Sequence, residues 1–360
     1  MNPSRRLFVS LWPAALGYAF DKAATLPSEV VRYADPATEF PIFRLTDPKN
    51  TSLLPAYYGR AVSRRGNFIL YSNDRSGVFQ AYRMEVKSGQ SHQLTSVTSL
   101  QTDSLTLMPD ERSLCCVADG AVVQIGFANG KDRQLYRLPE EWTPGKGFSV
   151  SDDGLYALLV EVRKPKWRLR LVNLVRGTAV TVLEAADEIA DPSPRPRRAG
   201  ILYQAGGREM HVVNYDGAQN QRLHAAPGAL GPALWSADGR AVDYLNFPED
   251  RKQLNNLREY TADANEDRLV APTTQFVHFG RNADSTVFVG ASGSKASPYL
   301  LLLVRAVKRE LTLCEHKASD ARMVAPVFSP NSQRVFFQTD RHGKWAIYSV
   351  AVDRLVEETE

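Results

Sequence analysis

The sequence predicts an all-β protein: a seven-bladed β-propeller of four-stranded blades, closed by a strand from its own N-terminus. Three observations predict it. A polar or glycine-bearing turn recurs at intervals of about 40 to 48 residues. An apolar strand follows each copy of the turn. The two ends of the chain carry complementary fragments of one blade.

The stretch from Ser63 to Thr95 displays the unit. A turn (Ser63–Gly66) leads into a strand (Phe68–Ser72), a second turn (Asn73–Gly77) and a second strand (Gln80–Val86). Ser88-Gly89 then turns the chain into a segment ending Gln93-Leu94-Thr95. Apolar and aromatic residues alternate along these strands, as a half-buried sheet requires. The opening turn recurs at Met108–Glu111, Ser151–Gly154, Pro196–Ala199, Ser236–Gly239, Arg281–Asp284 and Ser329–Ser332. The strands expected after them are Leu114–Val117, Tyr156–Val160, Gly200–Tyr203, Ala241–Leu245, Thr286–Val289 and Arg334–Gln338. The last unit has two clear strands and then runs out of chain. Phe43–Thr46 looks like the end of a blade with no blade before it. An N-terminal strand that completes the last blade satisfies both ends and leaves no long open edge.

Composition agrees with this architecture. The chain has 360 residues, 43% hydrophobic and 23% charged, which excludes bulk disorder. Its 23 glycines and 21 prolines mark many short elements joined by tight turns. A net charge of +4 is too small to argue for nucleic acid. Three cysteines, two of them adjacent at Cys115 and Cys116, make no disulfide framework. No segment after residue 24 is apolar enough over enough length to cross a membrane as a helix.

Residues 1–24 read as an export signal. Arg5-Arg6 precedes a short apolar run from Leu7 to Phe20, and small residues follow at Ala19, Ala23 and Ala24. Ser4-Arg5-Arg6 with Phe8 is similar to a twin-arginine signal. The expected plan is then a linker over 25–39, the propeller over 40–355 and a short tail over 356–360, in an exported, periplasmic protein.

A family resemblance rests on anchors in order along the chain: Phe43–Thr46 (FRLT), Tyr136–Trp142 (YRLPEEW), Asp191–Pro196 (DPSPRP), Trp235–Gly239 (WSADG), Leu313–His316 (LCEH) and Phe328–Asn331 (FSPN). Together they resemble the oligogalacturonate lyases, seven-bladed propellers that cut acidic pectin fragments by β-elimination. The turns Asn73–Gly77 and Thr339–Gly343 also resemble, more distantly, the Tol-type propellers of the bacterial envelope.

The resemblance implies a divalent metal, typically manganese, held by three histidines and a glutamine. It would act as a Lewis acid on the uronate carboxylate while a further histidine removes the C5 proton. The first metal position matches His278. The other three, counted back from Phe328, fall on Asp320, Met323 and Ala325, of which Asp320 alone could bind such a metal. The base position, three residues before Trp235, is Pro232, which has no proton acceptor. The family's arginine falls on Glu209, with Arg208 beside it as the catalytic candidate. Two family inserts look trimmed, between Arg163 and Arg168 and between Ala205 and Met210.

The resemblance also matches Tyr57, Tyr58 and Arg60 to an aromatic and basic run and Arg195 to a family arginine, so Arg60, Arg195 and Tyr58 are candidates to hold a polyuronate substrate. Packing roles are the alternative for each. Arg163, Lys164, Lys166, Arg168 and Arg170 alternate along one ribbon, either as a docking strip or as a solvated strand that blocks edge pairing. No nucleophile elbow, Walker loop or dinucleotide fingerprint occurs. Two functions stand at this point. One is an acidic-oligosaccharide propeller, active with manganese or another divalent ion, or binding with no cofactor. The other is a non-catalytic envelope scaffold that binds protein partners.

Overall fold

The computed structural model describes residues 25–128, 130–250 and 252–357. The expected export signal lies outside the described residues.

Among them, seven antiparallel sheets form: six contain four successive strands of the repeating unit, and the seventh joins three strands from the end of the chain to strands from near its start. Blade 3 is representative. Its strands run Thr143–Val150, Tyr156–Arg163, Lys166–Asn173 and Thr178–Ala185, from the propeller axis outward. Among the described residues helical structure is confined to two 3₁₀ turns, Thr102–Ser104 and Ala321–Met323. No described helix is long and apolar enough to cross a membrane.

The recurring turn has a physical basis. In blade 3 the Ser151 hydroxyl accepts from the Tyr156 amide at 3.0 Å, and the Asp153 carboxylate accepts from the Leu155 amide at 2.9 Å. Gly154 sits at φ +71°, a conformation glycine adopts without steric cost. Ser236, Asp238 and Gly239 repeat the arrangement in blade 5. Ser63, Ser329 and the Asn282 side chain receive the same amide in blades 1, 7 and 6. The side chain closes a turn that backbone bonds alone leave open.

The core is divided among the seams. Seven clusters of buried residues each join two neighbouring blades, such as Leu158, Val160 and Leu169 of blade 3 with Ile201 and Tyr203 of blade 4. A blade therefore buries neither face alone, and closing the ring removes the last exposed seam. Cys115, Cys116 and Cys314 are free thiols inside this core.

The closure is as expected. Pro41–Arg44 pairs antiparallel with Ala346–Ala351 and becomes the fourth strand of blade 7. The segment expected as a linker, 25–39, is instead structured. Thr25–Leu26 adds a fifth strand to blade 1, and Val31–Ala34 adds one to blade 7. Both lie on outer edges with mostly exposed side chains, so no buried face stamps a period on them. The buried Asp35 carboxylate anchors the segment: it accepts from the Ala37 and Thr38 amides and, through its other oxygen, from Glu315 of blade 6 at 3.0 Å. At the other end Val356, expected in the tail, is buried in the seam between blades 6 and 7.

Candidate functional site

A cavity of about 850 Å³ opens at one end of the axis, where the loops between blades and the hairpins between second and third strands gather. Every blade contributes to its wall: Tyr57 and Tyr58, Asp103, Lys146, Asp191, Pro232, His278 and Ala325, in blade order 1 to 7. Gln204, Asn255 and Gln338 add amides.

One device recurs in this wall. The inner strands of blades 3, 4, 5 and 6 each lose register with their neighbour, between Pro144 and Phe148, Ala190 and Ser193, Leu230 and Ala233, and Phe276 and His278. Such bulges leave residues unpaired and turn their side chains out of the sheet. Lys146, Asp191 and Pro232 sit on three of them. In blade 3 the bulge is built by glycine: a Cβ on Gly147, at φ +134°, would lie 2.2 Å from the Pro192 ring, and one on Gly145 2.6 Å from Val160.

The floor is the segment Leu54–Arg60, which crosses the axis. Its bonds reach Gln338 of blade 7, Asp103 of blade 2 and Leu107 beyond it. The Tyr57 hydroxyl donates to Asp191 of blade 4 at 3.3 Å and accepts from the Ala233 amide of blade 5 at 3.2 Å. Below it Arg60 donates to the Val150 and Ser151 carbonyls at the opposite end of the axis.

Burial sets the charge states. His278 is 7% exposed, and burial, reinforced by the Lys146 charge, lowers its imidazole to about 4, so it is neutral at pH 7. Its Nδ1 has no hydrogen-bond partner. Burial raises the carboxyl groups of Asp103 and Asp191, while the Lys146 charge opposes the rise. The phenols of Tyr57 and Tyr58 are pushed well up, by burial and then by the Asp191 charge.

Of the residues singled out in the sequence, His278, Asp320 and Tyr58 come together in this cavity, as do Pro232, Met323 and Ala325. Arg208 does not line it; the residue is exposed on the Gly206–Arg208 hairpin tip beyond Gln204. Arg60 and Arg195 belong to the other end of the propeller and do not line this cavity. Arg195 donates to the Gly239 carbonyl at 2.7 Å and to Asp263 at 2.8 Å, and lies 5.0 Å from the Trp235 ring. Both arginines clip one blade to another, and a turn that follows the inner strand necessarily lies away from the mouth. The basic ribbon of blade 3 is likewise largely tied down: Arg168 bonds Glu161 and stacks 3.7 Å over Trp142, and Arg170 bonds Thr181. The sequence does not single out Asp103, Lys146 or Asp191 as site residues. The one signal available was a lysine between two glycines at the start of a strand.

A family model described as oligogalacturonate lyase matches residues 20–176. An oligogalacturonide lyase of Pectobacterium atrosepticum is 22% identical over 384 residues, covering 92% of this chain and 98% of the relative. An oligogalacturonate lyase of Dickeya dadantii is also 22% identical, with 89% and 95% covered. The chain is thus similar to the oligogalacturonate lyases along nearly its whole length. Two solved structures of oligogalacturonate lyases share its fold at 21% identity. One is a complex with manganese, with a TM-score of 0.86 over 92% of this chain and 98% of that one. The other, from Vibrio parahaemolyticus, has a TM-score of 0.85 over 92% and 99%.

The side chains here do not fit the metal centre that the oligogalacturonate lyase resemblance implies. Three or more protein donors are usual for such an ion. His278 offers a nitrogen, but both Asp320 oxygens are held by the Arg322 guanidinium, at 3.0 and 2.8 Å. Met323 and Ala325 bring no hard donor. Among the described residues no three His, Cys, Asp or Glu side chains gather as metal ligands. The position of the family's arginine, Glu209, is engaged by His211 and Arg222.

Proposed function

We propose that this protein recognises acidic, pectin-derived oligosaccharides in its axial mouth. One observation carries the reading: inner segments of all seven blades converge on a single open cavity, at the end where the family's site positions lie, and line it with aromatic rings, amides and a lysine. Aromatic faces suit sugar rings, amides suit hydroxyls, and a cation suits the carboxylate that each uronate residue carries.

Elimination at the family's own positions lacks its parts. Pro232 has no atom to accept the C5 proton, and the donors near His278 do not complete a metal site. Binding without turnover follows. Calorimetric titration of trigalacturonate, with an absorbance assay for unsaturated uronide run on the same protein, tests both halves. Binding with no new absorbance is expected, with or without added manganese. Manganese-dependent absorbance would restore the lyase, and no binding would leave a protein-binding scaffold. Export is part of the proposal, resting on Arg5-Arg6 and the apolar run after them. Expression in a bacterial host should yield a protein that begins after Ala19 or Ala24, and a cytoplasmic chain retaining Met1 would overturn it.

A further inference from the structure

The lining holds two cations, Lys146 and Arg322. Arg322 is already committed, since Asp320 accepts from its amide, its Nε and a terminal nitrogen. Lys146 is not. Among the described residues no carboxylate lies within ion-pairing distance of its ammonium, although Asp103 and Asp191 share the cavity wall. Asp191 is occupied by the Tyr57 hydroxyl on a different blade. The backbone under Lys146 is specialised. Gly145 and Gly147 both sit where a side chain would collide with a neighbouring strand, so the chain gives up side chains on both sides of Lys146 to keep this bulge. An exposed ammonium is thereby held over a cavity whose other cation, Arg322, is paired with Asp320.

From this geometry we infer that Lys146 is the group that seats a uronate carboxylate, taking over the electropositive role for which the donor set around His278 is incomplete. The inference rests on the oligosaccharide reading and names the side chain that carries it. The ammonium donates hydrogen bonds to the carboxylate and needs no metal. The sugar then lies across the mouth between Lys146 of blade 3 and the Tyr57–His278 wall opposite.

The test uses the full chain after exhaustive chelation. Trigalacturonate and its fully methyl-esterified form are titrated into the native protein, Lys146→Met and Lys146→Arg. Lys146 is exposed, so melting temperatures should coincide and exclude misfolding. A charge-assisted bond of this kind corresponds to about a tenfold or greater loss of trigalacturonate affinity in Lys146→Met. Lys146→Arg should recover most of it, and the dependence of affinity on salt should flatten in Lys146→Met. The ester should bind weakly and equally to all three proteins. Native binding that Lys146→Met leaves intact, or that appears only when manganese is returned, overturns the role of Lys146 while leaving the oligosaccharide reading in place. Absence of trigalacturonate binding to the native protein under every condition overturns that reading itself.

Discussion

The ring of Tyr57, carried by a segment of blade 1, stands edge-on to the imidazole of His278 on blade 6, with centroids 5.1 Å apart and planes at 87°. These blades are not neighbours. The contact exists because Leu54–Arg60 crosses the axis, and its hydroxyl bonds to blades 4 and 5 make Tyr57 a brace for the wall opposite. Tyr57→Phe removes two hydrogen bonds, leaves the ring contact, and should cost about 1–2 kcal/mol in denaturant unfolding. Tyr57→Ala removes the ring as well and should cost about 3–5 kcal/mol. Equal melts for the native protein and Tyr57→Ala would show that the brace carries no load.

Gly147 tests the bulge. At φ +134°, and with Pro192 in the way of a Cβ, Gly147→Ala should destabilise the chain by about 1–3 kcal/mol through backbone strain. Gly206→Ala, on an open hairpin with nothing within 4 Å of its Cβ, is the control and should cost less. Similar losses for the two variants would mean that positive φ alone, and not the crowding under Lys146, sets the cost.

Arg195 separates a clip from a substrate contact. Its side chain is 9% exposed and joins the Gly239 carbonyl, Asp263 and the Trp235 ring. Arg195→Ala should lower stability by about 2 kcal/mol and leave trigalacturonate affinity unchanged. A selective loss of affinity at native stability would return Arg195 to the substrate role.

Asp243 gives the stability a pH dependence of known sign. It is fully buried in blade 5, with one oxygen bonded to Ser285 at 3.0 Å and the other unpartnered. Burial raises its carboxyl to about 6, against the opposing charges of Arg281 and Arg305 and with the help of Glu259. The folded state therefore holds this proton more tightly than the unfolded chain, whose value is 3.8. Stability from this group is present below about pH 4 and is lost as pH rises through 6. Asp243→Asn should raise the melting temperature at pH 8 more than at pH 4. His278, lowered to about 4 from 6.5, acts oppositely, favouring the fold above 6.5 and losing that contribution as pH falls through 4. It is common to both proteins and cancels from their difference.

Removing residues 1–50 should lower the melting temperature of the whole ring. Blade 7 would lose its fourth strand, and the bonds from Leu45 to Ile347, from Ile347 to Thr46 and from Asp35 to blade 6 would go with it. A chain starting at Thr51 that melts like one starting at Thr25 would refute strand closure.

The sequence by itself determined the ring. Turn signals such as Ser151–Gly154 and Ser236–Gly239 act over five or six residues, and the alternating strands after them declare a buried face locally, so blade number and closure through Phe43 were legible. Its resemblance to the oligogalacturonate lyases also pointed to His278, Tyr58 and Asp320 as candidates for one site. The tertiary structure alone decided what surrounds them. Lys146, Asp103 and Asp191 meet His278 only because seven inner strands converge on one axis, and residues from blades 2 to 6 are far apart in sequence. Arg60 and Arg195 looked like partners of that site because a sequence does not say which end of a blade a residue occupies. The direction of the inner strand does: residues at its start face the mouth, and those in the turn after it face away.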